Sequence, residues 1–99
     1  MDKCKFIGSY VNDAVTADTD IVEVIRAAEV VKYPTSYLKT EKLCIRKLAI
    51  DAPAGTEFTI NGVDFKMPTT GLFEIGLDVI DIRSITFKSA CAVNIVYFY

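Results

Sequence analysis

Within Thr56–Met67, T-E-F-T-I-N-G-V-D-F-K-M, apolar and polar residues alternate from Glu57 onward, and the alternation is interrupted only at Asn61-Gly62. That dipeptide tolerates the positive φ angles of a two-residue type I′ turn, so the stretch predicts a β-hairpin. Closing the turn there sets Ile60 opposite Val63, Thr59 opposite Asp64, Phe58 opposite Phe65 and Glu57 opposite Lys66. One face of the ribbon is then wholly apolar, and the other carries the opposite-charge pair Glu57/Lys66.

From Lys42 onward the same kind of pattern repeats between turn signals. Leu43–Ile50 reads as a strand whose alternation slips between Ile45 and Leu48, as in a bulge or a strand buried on both faces. Asp51-Ala52-Pro53-Ala54-Gly55 and Pro68-Thr69-Thr70-Gly71 are turns flanking the hairpin. Short strands follow at Leu72–Ile75, Ile82–Phe87 and Ala92–Tyr99, with Gly76–Asp81 as a connection. In the last strand Val93, Ile95, Tyr97 and Tyr99 share one face, while Asn94, Val96 and Phe98 share the other, so both faces are largely apolar. Two readings fit: a central core strand, or a strand with one face on a neighbouring subunit, for which Val96, Tyr97, Phe98 and Tyr99 are the candidate interface residues.

Before Lys42 the periodicity changes. Phe6–Val11 reads as a short strand, and Asn12–Thr19 is a polar, acidic connection. Asp20-Ile21-Val22-Glu23 has the spacing of a helix-capping box, and Ile21, Val24, Ile25, Ala28 and Val31 fall on one face of a helix over residues 21–31. The many β-branched residues in that run leave a strand as the alternative. Tyr33-Pro34 ends either element, because a residue before proline is pushed out of the helical region. These elements predict a mainly β fold, an antiparallel β-sandwich or jelly-roll-like domain with one short helix, in which residues 1–41 form an N-terminal segment and 42–99 a β-module of a single domain.

With 99 residues of which 52% are hydrophobic, the chain carries more apolar surface than one small core needs, which points to burial against partners. The net charge of −2 argues against a nucleic-acid ligand, and the one basic cluster, Lys39, Lys42, Arg46 and Lys47, is interrupted by Glu41 and reads as a solvated face. No segment has the length and apolarity of a membrane span, and the first residues lack the pattern of a secretory signal, so the expectation is that the chain stays where it is made. Cys4, Cys44 and Cys91 are odd in number and scattered, which predicts reduced thiols.

The absence of histidine removes the usual imidazole base and with it the Ser/His and Cys/His nucleophile schemes. Asp78/Asp81 and Asp18/Asp20 are carboxylate pairs at positions where turns and caps use aspartate, and the glycines fall at turns rather than in a phosphate-binding loop. No catalytic residue, cofactor or metal is expected. Tyr33, Tyr37, Tyr97 and Tyr99 could form a sugar-binding surface, although tyrosines so placed more often serve a core or an interface.

The run F-T-I-N-G-V-D-F-K-M-P-T-T-G-L-F-E-I, then I-R-S-I-T-F and the closing V-N-I-V-Y-F-Y, resembles a C-terminal β-module of small virion structural proteins from tailed bacteriophages and prophages of Gram-positive bacteria. The likeness covers about Leu43–Tyr99. It departs from the usual pattern at Met67-Pro68, where Ile-Gly is more typical, and in lacking an acidic residue before the terminal tyrosines. The resemblance implies a non-enzymatic accessory head or tail protein, made in the bacterial host cytoplasm and built into the virion, with itself and other virion proteins as partners. Capsid decoration is the first expectation; a tail-tip or baseplate carbohydrate-binding adhesion module is the alternative.

Overall fold

A computed structural model of the chain describes residues 6–75 and 81–99; Cys4, Asp78 and most of the Gly76–Asp81 connection lie outside the described residues. The hairpin forms with the expected register, Glu57↔Lys66 through Ile60↔Val63. Its turn has φ of 51° at Asn61 and 81° at Gly62, the positive pair that a type I′ turn demands. The charge pairing differs from expectation. Lys88 Nζ lies 3.2 Å from Asp64 and 3.8 Å from Glu57, because a neighbouring strand brings Lys88 alongside Glu57.

Seven strands build two antiparallel sheets: β1 (Ile7–Asn12), β2 (Lys47–Asp51), β3 (Glu57–Ile60), β4 (Val63–Lys66), β5 (Leu72–Ile75), β6 (Ile85–Phe87) and β7 (Val93–Phe98). The first sheet has the order β1-β7-β2-β5 and the second β4-β3-β6. Leu43–Ile50 is strand only from Lys47, preceded by a bridge between Ile45 and Ile82, which also shortens the expected Ile82–Phe87 strand. The slip in alternation is a bulge. Arg46 donates its backbone N–H to Phe98 O at 2.8 Å while Lys47 is the residue paired with Phe98, so two residues oppose one, and Ile45 and Leu48 both reach the core.

Aromatic rings join the two sheets. Phe58 on β3 meets Phe73 on β5 edge-on at 5.2 Å and stacks near Phe65 and Phe87 at 5.8 and 5.5 Å. Around them lie Ile50, Ile60, Ile85 and Ile95, and the N-terminal segment contributes Val15, Ile21, Ile25 and Leu38 to the same core.

Residues 21–32 are a helix, α1 (Ile21–Lys32). Asp20 caps it: Oδ1 accepts from Val22 N at 3.0 Å and also from Ile85 N of β6 at 3.2 Å. Glu23 does not complete a capping box; its carboxylate pairs with Arg26 at 2.6 Å. The buried stripe is Ile21, Val22, Ile25 and Glu29, so the face expected from the apolar spacing is rotated and Val31 stands 81% exposed. The rotation follows from the double duty of Asp20, which fixes the first turn against β6, and from the demand of a tyrosine hydroxyl for Glu29.

Candidate functional site

β7 lies between β1 and β2, and its two faces have different fates. Val93, Ile95, Tyr97 and Tyr99 point into the core, with Tyr97 at 3% and Tyr99 at 8% exposure. Of the expected interface residues, these two tyrosines are thus largely enclosed by the monomer itself. Val96 and Phe98 point the other way and are half-buried.

The registers assemble the outer face in rows. Ile7, Phe98 and Lys47 form one row, Ser9, Val96, Ala49 and Glu74 the next, and Val11, Asn94, Asp51 and Leu72 the third. Ile7 and Val11 are each 65% exposed and Leu72 is 46% exposed. A hollow of about 450 Å³ opens beside Phe98, lined by Lys47, Ala49 and Glu74. Among the described residues no helix covers this face. An apolar centre with charged residues on one flank is the anatomy of a protein-contact surface. Sequence reasoning found Val96 and Phe98 but missed Ile7 and Val11. Their two-residue spacing with Ser9 was readable; their position beside Phe98 depends on a pairing between opposite ends of the chain.

A second feature gathers the tyrosines. Phe6, Tyr33, Tyr37 and Tyr99 line a cleft of about 350 Å³ with Thr35 and Ser36, and Phe6 stacks on Tyr99 at 5.1 Å. Behind it Tyr97 stacks on Tyr99 at 5.9 Å and donates its hydroxyl to Glu29 Oε1. Glu29 is 4% exposed, and its Oε2 has no hydrogen-bond partner. The Tyr99 hydroxyl lies beside the same carboxyl group. Burial first, and then the carboxylate, push the phenols of Tyr97 and Tyr99 well above their ordinary value of 10. Gly8 makes this arrangement fit, since a Cβ there would run into the Tyr97 ring.

The remaining sequence candidates are structural. Asn61 does more than turn: its side chain donates to Asp81 O at 2.8 Å and accepts from Arg83 N and Ser84 N at 2.8 and 3.1 Å, tying the hairpin to the next strand's approach. Gly62 supplies the second positive φ, and a Cβ at that position would meet no atom within 4 Å, so the backbone angle and not crowding calls for glycine. Asp81 lies 3.4 Å from Arg46 and 3.5 Å from Arg83, an ion-pair role. Asp18 holds a positive φ of 61° and donates its N–H to Phe87 O, so it and Asp20 serve the edge of β6 rather than an acid/base pair. Cys44 and Cys91 are free and half-buried, and burial raises the Cys91 thiol above its usual range, away from nucleophilic use. Among the described residues no group of acidic or sulfur side chains is arranged to hold a metal ion, and no helix is long and apolar enough to cross a membrane.

Compared with known proteins, the chain matches no family model, no curated protein and no solved structure.

Proposed function

We propose that this chain is a non-enzymatic assembly protein that works through protein–protein contacts, most specifically an accessory structural component of a tailed-phage virion such as a capsid-decorating protein. The observation that carries the contact reading is the bare outer face of the four-stranded sheet, where Val96 and Phe98 are flanked by exposed Ile7, Val11 and Leu72. The particle reading rests on the sequence resemblance over Leu43–Tyr99, and the lack of histidine is compatible with it. On this reading the partners are further copies of the chain and other virion proteins, with no nucleic acid or membrane involved, and the site of action is the virion after synthesis in the host cytoplasm.

The test replaces Val96 and Phe98 together with lysine. The variant is expected to keep its near-ultraviolet circular dichroism, to form smaller assemblies than the parent in sedimentation and to stop copurifying with phage particles. A folded variant that assembles and joins particles like the parent overturns the proposal.

The aromatic cleft favours a second reading, an adhesion module that stacks a sugar ring on Tyr33, Tyr37 or Phe6. Glycan-array binding that Tyr37→Ala abolishes would support it over the first.

A further inference from the structure

The sheet edges are treated unequally. On β6 two outward-facing backbone groups are already occupied, since Asp18 N donates to Phe87 O and Asp20 Oδ1 accepts from Ile85 N. The free side of β4 carries Asp64 and Lys66, charges of the kind that discourage strand pairing. β5 carries Glu74 and runs on toward residues outside the described set. β1, I-G-S-Y-V-N, has no charge, no proline and no bulge along six residues.

The hydrogen-bond parity of β1 is fixed by its inner side. Phe6 and Tyr99 exchange both backbone bonds, at 2.8 and 3.0 Å, and the register then steps by two, so Phe6, Gly8, Tyr10 and Asn12 direct their N–H and C=O groups at β7. Ile7, Ser9 and Val11 direct theirs away from the sheet. The same three residues present their side chains on the exposed outer face.

We propose that β1 pairs with β1 of a second copy of this chain, antiparallel about a two-fold axis at Ser9. That axis sets Ser9 opposite the other copy's Ser9 and Ile7 opposite its Val11, and each of these is a pair in which both residues have outward N–H and C=O groups. Every backbone group from Ile7 to Val11 that has no partner among the described residues is satisfied at once, and the contact is isologous, so it closes at two copies. The pairing also sets Ile7 beside Val11 on one face, where each now stands 65% exposed. The result is an eight-stranded sheet running β5-β2-β7-β1 and back through the partner, with both outer faces on the same side. A second copy is the occupant that the edge fits in register without any further sequence requirement. The inference stands apart from the particle reading and concerns the backbone edge of β1, which Ile7 and Val11 share with the border of the Val96/Phe98 face.

The experiment combines sedimentation with amide hydrogen exchange on the full chain. A concentration-dependent shift from 11.0 kDa toward twice that mass is expected, accompanied by slowing exchange at the amides of Ile7, Ser9 and Val11 while those of Gly8, Tyr10 and Asn12 stay protected throughout. Ser9→Pro removes only an outward N–H, and Val11→Lys adds charge at an exposed position; both are expected to remain folded and monomeric. Should the proline variant fail to fold, the lysine variant decides. A parent that stays monomeric at every concentration overturns the proposal, as does a folded Val11→Lys chain that dimerises normally. A dimer whose Ile7, Ser9 and Val11 amides exchange freely overturns it too, and assigns the contact to the outer face instead.

Discussion

Tyr97→Phe removes one hydroxyl and leaves the ring over Gly8 in place, so packing is kept and the hydrogen bond to Glu29 is isolated. Removing one partner so that a buried polar group is left unsatisfied costs about 1–3 kcal/mol. Here the loss falls near the upper end, because Oε2 of Glu29 already lacks a partner and the variant leaves both oxygens of a buried carboxylate unpaired. For a domain of this size about 3 kcal/mol corresponds to a fall in Tm of roughly 12–24 °C. Urea denaturation followed by circular dichroism should show a lower midpoint at unchanged slope. Replacing both partners, Tyr97→Phe with Glu29→Leu, is expected to recover much of the loss, since no buried polar group is then left unpaired. The pH dependence has a defined sign. The Tyr97 phenol is harder to ionise when folded, so its contribution is complete below the ordinary value of 10 and is lost as pH rises through the higher folded value. The parent should therefore lose stability more steeply than Tyr97→Phe in alkali. A Tyr97→Phe chain within about 0.5 kcal/mol of the parent at neutral pH would refute this account of the buried pair.

Asp20→Ala removes the cap of α1 and orphans Ile85 N in one step, with an expected cost of about 2–3 kcal/mol, whereas Asp20→Asn keeps an acceptor oxygen and should lose under half of that in the same denaturation assay. Cys4, Cys44 and Cys91 should all titrate with a thiol reagent in denaturant without reductant, and reductant should leave Tm unchanged; a disulfide in freshly purified protein would contradict the reduced reading.

The legible parts of this fold are those in which chemistry and pairing are local. Asn61-Gly62 fixes a two-residue turn, and the turn fixes every pair of the hairpin, so its register followed from adjacent residues alone. The bulge at Arg46-Lys47 was likewise visible as a slip in alternation. Helix orientation was not, because apolar spacing ranks Val31 above Glu29, while the structure satisfies a tyrosine hydroxyl brought from 68 positions away. Lys88 displaced Lys66 as the partner of the hairpin carboxylates for the same reason: the β3–β6 register is tertiary. At the candidate site, Val96 and Phe98 were legible from the two apolar faces of β7. Which face the monomer would claim was not, since that depends on where β1, β2 and α1 are placed.

The position of β7 in the sheet sets the order in which the chain can fold during synthesis. β1 and β2 both pair with a strand that is translated after them, and neither pairs with the other. At about 5–20 residues per second, the interval from Asn12 to Val93 leaves β1 without its native neighbour for roughly 4–16 s, with both of its edges open. Formation of the four-stranded sheet must therefore wait for Val93–Phe98 to leave the ribosome, however early the central hairpin closes. The nascent chain is thus most exposed to wrong pairings while its least guarded strand is already outside.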